Sequence, residues 1–216
     1  MKTLSEVSTK FRYAFYDEVE PIKLTDPLSA FLGATRDSDV FAYSYKDIVK
    51  LSGHSCPTVA GAYKSTQLAL KSLYDKTTPV RGQIRVKIAG GPEQLVNGPV
   101  SQVITFITGA APITGFKGIK GKFNRYEMLT FDENVQPEKD VSSDILFERT
   151  DSHKKVRVLY RPQFIYQNPE IGRLLPLMLS GMATESDKLS FGDFWQERVR
   201  VILLETPPEA FELLNY

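Results

Sequence analysis

The chain is poor in the residues that make cross-links. Its 216 residues include one cysteine and two histidines. A single thiol excludes an intramolecular disulfide. It also excludes a zinc ribbon, a four-cysteine zinc site and an iron–sulfur cluster held by this chain's thiolates alone. Neither sign of charge is in excess: 27 basic side chains stand against 26 acidic ones, a formal net charge of +1. That balance leaves no electrostatic footprint for nucleic acid or an anionic membrane surface. No window approaches the roughly 18 apolar residues of a membrane helix, and the opening residues, MKTLSEVSTKFRYAFYDEVE, hold no run resembling a signal peptide. The expectation is a cytoplasmic protein that binds neither nucleic acid nor membrane.

What is present is ordinary for a globular protein. Hydrophobic residues make up 42% and charged residues 25%, which supplies a core without a covalent staple. One domain over residues 1–216 is expected. Residues 27–34 read as a short helix stopped by Gly33, and 40–43 as a strand. Ser44 and Asp47 have capping-box spacing ahead of a helix that ends before Gly53. Val59, Tyr63, Thr66, Leu70 and Leu73 then follow a helical period, with Pro57 suited to the first turn. Ala60, Gly61, Ala62 and Ser65 are small enough to admit another backbone.

Residues 82–88 alternate as a strand does. Residues 100–109 read as a helix, with a strand as the alternative because several are β-branched. Residues 144–150 and 155–162 flank His153 as a hairpin. Two helices are expected in 165–205, the second capped by Thr184 and Asp187. Strands and helices alternate without a regular βα rhythm. The class expected is therefore α+β, a mixed or antiparallel sheet with packed helices and a helical C-terminal segment.

The lone cysteine lies in LSGHSCPTVAGAY, residues 51–63. Cys56 follows His54 by two residues and precedes Pro57, so it falls at a helix start. Such a position presents unpaired N–H groups and a partial positive charge, a setting suited to anions. A thiolate is both a metal ligand and a nucleophile. His54 and Cys56 together offer one nitrogen and one sulfur, a pair that suits zinc and some other transition metals. Two ligands are too few, and a carboxylate such as Asp47 or Glu127, His153, water or a second subunit would complete the set. The alternatives are a Cys56 nucleophile with His54 as base and a plain packed cysteine.

The wording GHSCPTVAGAY followed by LALKSLY resembles the formylmethanofuran dehydrogenase E-subunit family, which carries a G-H-x-C-P motif before a small-residue helix. SQVITFITGAAP and GIKGKFN stand in place of its later segment, and the resemblance covers residues 40–130. It implies an α+β core, a dimer, and a metal near His54 and Cys56. Ala110 stands where many members have a second cysteine, which leaves the implied site poorer by one thiolate. The cysteine-rich zinc finger of some members is absent, and the family name is not taken to imply formylmethanofuran chemistry.

A second candidate lies in GFKGIKGKFNR. Lys117, Lys120, Lys122 and Arg125 are interleaved with Gly115, Gly118 and Gly121. Glycines let backbone N–H groups turn toward an anion and the cations add charge, although the G-K-[ST] ending of a P-loop is missing. The expectation is a site for an anionic small molecule, with an exposed solvated loop as the alternative. His153 is expected at an exposed turn, and Trp195 in the core or at a subunit interface. The sequence thus suggests a zinc-binding homodimer acting on an anionic small molecule. The alternatives are a non-catalytic carrier module and a metal-free thiol enzyme.

Overall fold

The computed structural model describes residues 8–94 and 96–216. A turn of 3-10 helix at Ala14–Asp17 precedes β1 (Ile22–Thr25), α1 (Pro27–Phe31), β2 (Val40–Tyr43), α2 (Tyr45–Ser52) and α3 (Pro57–Tyr74). Next come β3 (Ile84–Ala89), α4 (Asn97–Thr108), β4 (Leu129–Asp132), β5 (Ser143–Arg149) and β6 (Lys155–Tyr160). The chain ends with α5 (Glu170–Ser180), α6 (Glu185–Arg200) and β7 (Phe211–Asn215). The class is α+β.

Five strands form one sheet in the order β4-β3-β5-β6-β7, and β1 and β2 form a separate antiparallel pair. Only β3 and β4 run parallel, joined across the sheet by α4. The other neighbours are antiparallel, including the expected hairpin β5–β6. Strand alternation decides the faces. Ile84, Val86 and Ile88 on β3, Ile145 and Phe147 on β5, and Val156, Val158 and Tyr160 on β6 are all buried. In register, Val86 faces Phe147 and Val156, and Ile88 faces Ile145 and Val158, so with Ile84 and Tyr160 at the ends they build a single apolar face. The opposite face carries Arg85, Lys87, Glu148, Lys155 and Arg157, with ion pairs Lys87–Asp132 and Arg157–Asp144.

Helix α3 is the central strut. Thirteen of its eighteen residues are buried, and it packs on α4 and β6. Its small residues are already occupied within the chain. A Cβ on Gly61 would stand 2.2 Å from the Tyr160 ring, so this stripe receives an aromatic side chain and not a second backbone. Between residues 97 and 108 the helix prevails over the strand because Val100, Val103, Ile104 and Ile107 share one buried stripe. It begins three residues earlier than its apolar period, where buried Asn97 donates to the carbonyls of Ala89 and Gly91, each at 2.9 Å. Both capping boxes form as the spacing requires, Ser44–Asp47 on α2 and Thr184–Asp187 on α6. Among the described residues, no helix is long and apolar enough to cross a membrane.

Candidate functional site

The motif loop, residues 53–56, connects α2 to α3. Gly53 ends α2 in the left-handed conformation at φ 73°. Cys56 is the N-cap of α3, extended at φ −147° and ψ 167°, and Pro57 takes the first turn. The half-buried Cys56 Sγ accepts the Val59 N–H at 3.5 Å. His54 is exposed. Its Nδ1 lies 2.9 Å from the Ser52 carbonyl oxygen. A carbonyl only accepts, so Nδ1 holds a proton. In the neutral ring, Nε2 then carries the free lone pair.

The backbone between these two side chains is clamped by distant residues. Ser55 O accepts from Trp195 Nε1 and Gln196 Nε2, both at 3.1 Å. Ser55 Oγ pairs with Tyr45 Oη at 2.9 Å and donates to Gln196 Oε1 at 3.0 Å. Gln196 Oε1 also accepts from Tyr16 at 2.8 Å, and the Tyr160 hydroxyl donates to Pro57 O at 3.1 Å. Burial raises the pKa of Tyr45 and Tyr160 far above the usual phenol value, which keeps both as neutral donors. The Trp195 indole thus has a use that its place in an apolar stripe did not reveal. A Trp N–H in a packed site needs an acceptor, and that was the available signal.

No group of three or more His, Cys, Asp or Glu is arranged to hold a metal ion among the described residues. Asp47 is committed to its capping box, and His153 sits at the β5–β6 turn, where its Nδ1 is 2.9 Å from Glu148. Ala110 is fully buried in the core.

The structure separates the four basic residues of the glycine-rich segment. Ile119 and Lys122 pair across a tight turn with Lys120 at φ 47° and Gly121 at φ 78°. Two positive φ values at the centre of a two-residue connection define a type I′ hairpin, so Gly121 serves a turn and not a phosphate cradle. Lys117, Lys120 and Lys122 are exposed on it. Arg125 is 6% exposed, and its Nη2 donates to Asp26 Oδ1 at 2.7 Å.

Asp26 is also the N-cap of α1 and accepts from Arg81 Nη1 at 3.1 Å. Arg81 in turn donates to Phe106 O and Ile107 O, each at 3.2 Å, which places a cation on the C-terminal carbonyls of α4. Burial lowers the pKa of Arg125, and Asp26 opposes that shift. A cleft of about 410 Å³ lies against these groups, lined by Arg81, Gly82, Arg85, Phe123, Arg125 and Glu127 among others. Asp26, Arg81, Gly82 and Arg85 were not singled out by sequence. Two arginines around a glycine in VRGQIR were the only local sign.

No family model matches the chain and no curated protein matches it, so the resemblance to the formylmethanofuran dehydrogenase E-subunit family rests on the motif residues alone.

Proposed function

We propose that the chain is a cytoplasmic metal-binding protein, with His54 and Cys56 as ligands to one transition metal, zinc being the best suited. The observation that carries this reading is the Nδ1 contact of His54 with the Ser52 carbonyl. It is the backbone bond that characteristically orients a metal-binding imidazole, and it leaves Nε2 as the ligand atom. Cys56 supplies sulfur from the adjoining helix start. His54 and Cys56 would make a two-ligand half-site, and among the described residues no third ligand joins them.

A homodimer would supply the remainder. The last two helices leave Leu175, Leu179, Met182 and Leu189 exposed, with Leu179 at 80% and Met182 at 70%, and apolar surface of this kind favours pairing. A bound zinc would polarise a carbonyl or activate water on an anionic small molecule. The resemblance to the formylmethanofuran dehydrogenase E-subunit family supports the same site. A carrier role in which the shell closes fully is the second reading, favoured by the rigid clamp on Ser55.

The test is metal content by mass spectrometry on gently purified protein, with Cys56→Ala and His54→Ala alongside. One metal per chain or per pair of chains in the wild type, lost in both variants, is the expected result. No metal in the wild type after anaerobic reconstitution would overturn the reading. Cys56 would then be tested as a nucleophile by its alkylation rate.

A further inference from the structure

We propose that the cleft beside Arg125 is a binding site for a small molecule carrying a carboxylate or phosphate on an apolar body. The inference takes from the preceding reading only the anionic class of ligand. It uses neither His54 nor Cys56.

Arg125 is nearly fully buried, yet its guanidinium is under-satisfied. Nη2 is bonded to Asp26, while Nε is buried with no partner. An arginine presents five N–H donors in a planar fork suited to carboxylate and phosphate. Burying such a group with a donor unmatched is costly, and the unmatched group calls for an explanation. Nε itself is closed off from the cleft, but the neighbouring Nη1 makes no hydrogen bond among the described residues and is not closed off, so it is the donor that a bound anion would take. The site is also built around this side chain. Gly82 has φ +83°, and a Cβ there would lie 1.0 Å from Arg125 Nη1. Only glycine lets the guanidinium lie on the backbone at that point.

The surrounding charge has the right sign. Arg81, Arg85 and Arg125 line the cleft, with Glu127 the one acid among the lining residues. Asp26, behind them, neutralises one arginine. Arg85 is exposed and makes no ion pair or side-chain hydrogen bond among the described residues, although Glu148 stands opposite it in the β3–β5 register and tempers its charge. Pro27, Phe123 and Met128 supply an apolar wall, and Phe123 is itself braced by Phe31 at a ring separation of 5.1 Å. A volume of about 410 Å³ admits an anion with one ring or a short chain attached, within the usual range for small-molecule sites.

Isothermal titration calorimetry of the full chain at low salt, with inorganic phosphate, phenyl phosphate and benzoate, tests this. Phenyl phosphate or benzoate should bind more tightly than inorganic phosphate. Binding of phenyl phosphate alone marks the ligand as a phosphate, and of benzoate alone as a carboxylate. Arg85→Glu, a change at an exposed position, should weaken binding by about tenfold or more, the equivalent of about 1.4 kcal/mol. Phe123→Ala should weaken the aromatic probes and leave inorganic phosphate unchanged. Lys120→Glu, on the hairpin, should leave all three unchanged. Chelator-treated protein should bind them equally, so a failed metal site does not disturb the result. Absence of binding up to about 10 mM, unaltered affinity in Arg85→Glu, or loss in Lys120→Glu would each overturn the proposal.

Discussion

At the His54–Cys56 loop the backbone is fixed by distant side chains, while His54 and Cys56 make only local bonds. At the Arg81–Arg125 cleft the side chains fix one another and the backbone bends to admit them. The first arrangement uses neutral donors, Trp195, Gln196 and Tyr160, on carbonyls of the loop. The second uses two guanidiniums on a single carboxylate, with Gly82 in a left-handed conformation. Neutral bonds to a loop backbone cost little to bury and leave His54 Nε2 unengaged. A buried charged triad is worth having only while every member is present. The two regions should therefore respond to mutation very differently.

The largest effect is expected at Asp26. Asp26→Ala leaves Arg81 and Arg125 without their shared carboxylate and removes the cap of α1. Urea unfolding should show a loss of about 3–5 kcal/mol. A loss below about 1 kcal/mol would mean that the guanidiniums are satisfied by solvent, and the contrast would collapse. Next is Gly82→Ala, which forces a side chain into φ +83° and onto Arg125, for about 1–3 kcal/mol. Gly121→Ala is the control. It has a similar φ of +78° but open space around it, so the difference between the two melting curves measures the displacement of Arg125.

On the other side, Gln196→Leu strips bonds from Ser55 and Tyr16 and should cost about 1–2 kcal/mol. Its sharper signature is functional. If His54 and Cys56 bind metal as proposed, metal should dissociate faster from this variant at unchanged stoichiometry, since both side chains remain.

The smallest effect is a pH slope from α3. Burial, then repulsion from Lys71, lowers the Lys64 pKa from 10.5 to about 8. The unfolded chain therefore holds a proton that the folded one has released between those values. Stability contributed by this group rises with pH across that window and is lower beneath it. Lys64→Met should remove the positive slope between about pH 8 and pH 10 in urea titrations and raise stability at pH 7. An unchanged slope would show that Lys64 reaches solvent through its stem.

What could be read from sequence was local. Ser44 with Asp47, Thr184 with Asp187, and Cys56 before Pro57 are short-range patterns, and each cap forms where its spacing puts it. The β5–β6 hairpin has the same character. The strands that escaped notice are four or five residues long and find their partners far away. Phe211–Asn215 pairs with β6 some fifty residues earlier, and Leu129–Asp132 needs the whole α4 crossover to meet β3. The cleft was hidden for a related reason. Asp26 and Arg125 are 99 residues apart, and Arg125 looks like one more cation in a run of exposed lysines. Nothing within a few residues of it marks it for burial. The glycines of that run were legible as backbone freedom, and at Gly121 a tight turn uses it.

The clamp on Ser55 also orders events in time. Trp195 lies 140 residues beyond the loop it holds. At about 5–20 residues per second of synthesis, those residues follow the motif off the ribosome by about 7–28 s. For that interval the loop lacks its bonds to Trp195 and Gln196. The Trp195 and Gln196 bonds to Ser55 close only when the C-terminal helix arrives, so if His54 and Cys56 bind metal as proposed, their loop reaches its final form only late in synthesis.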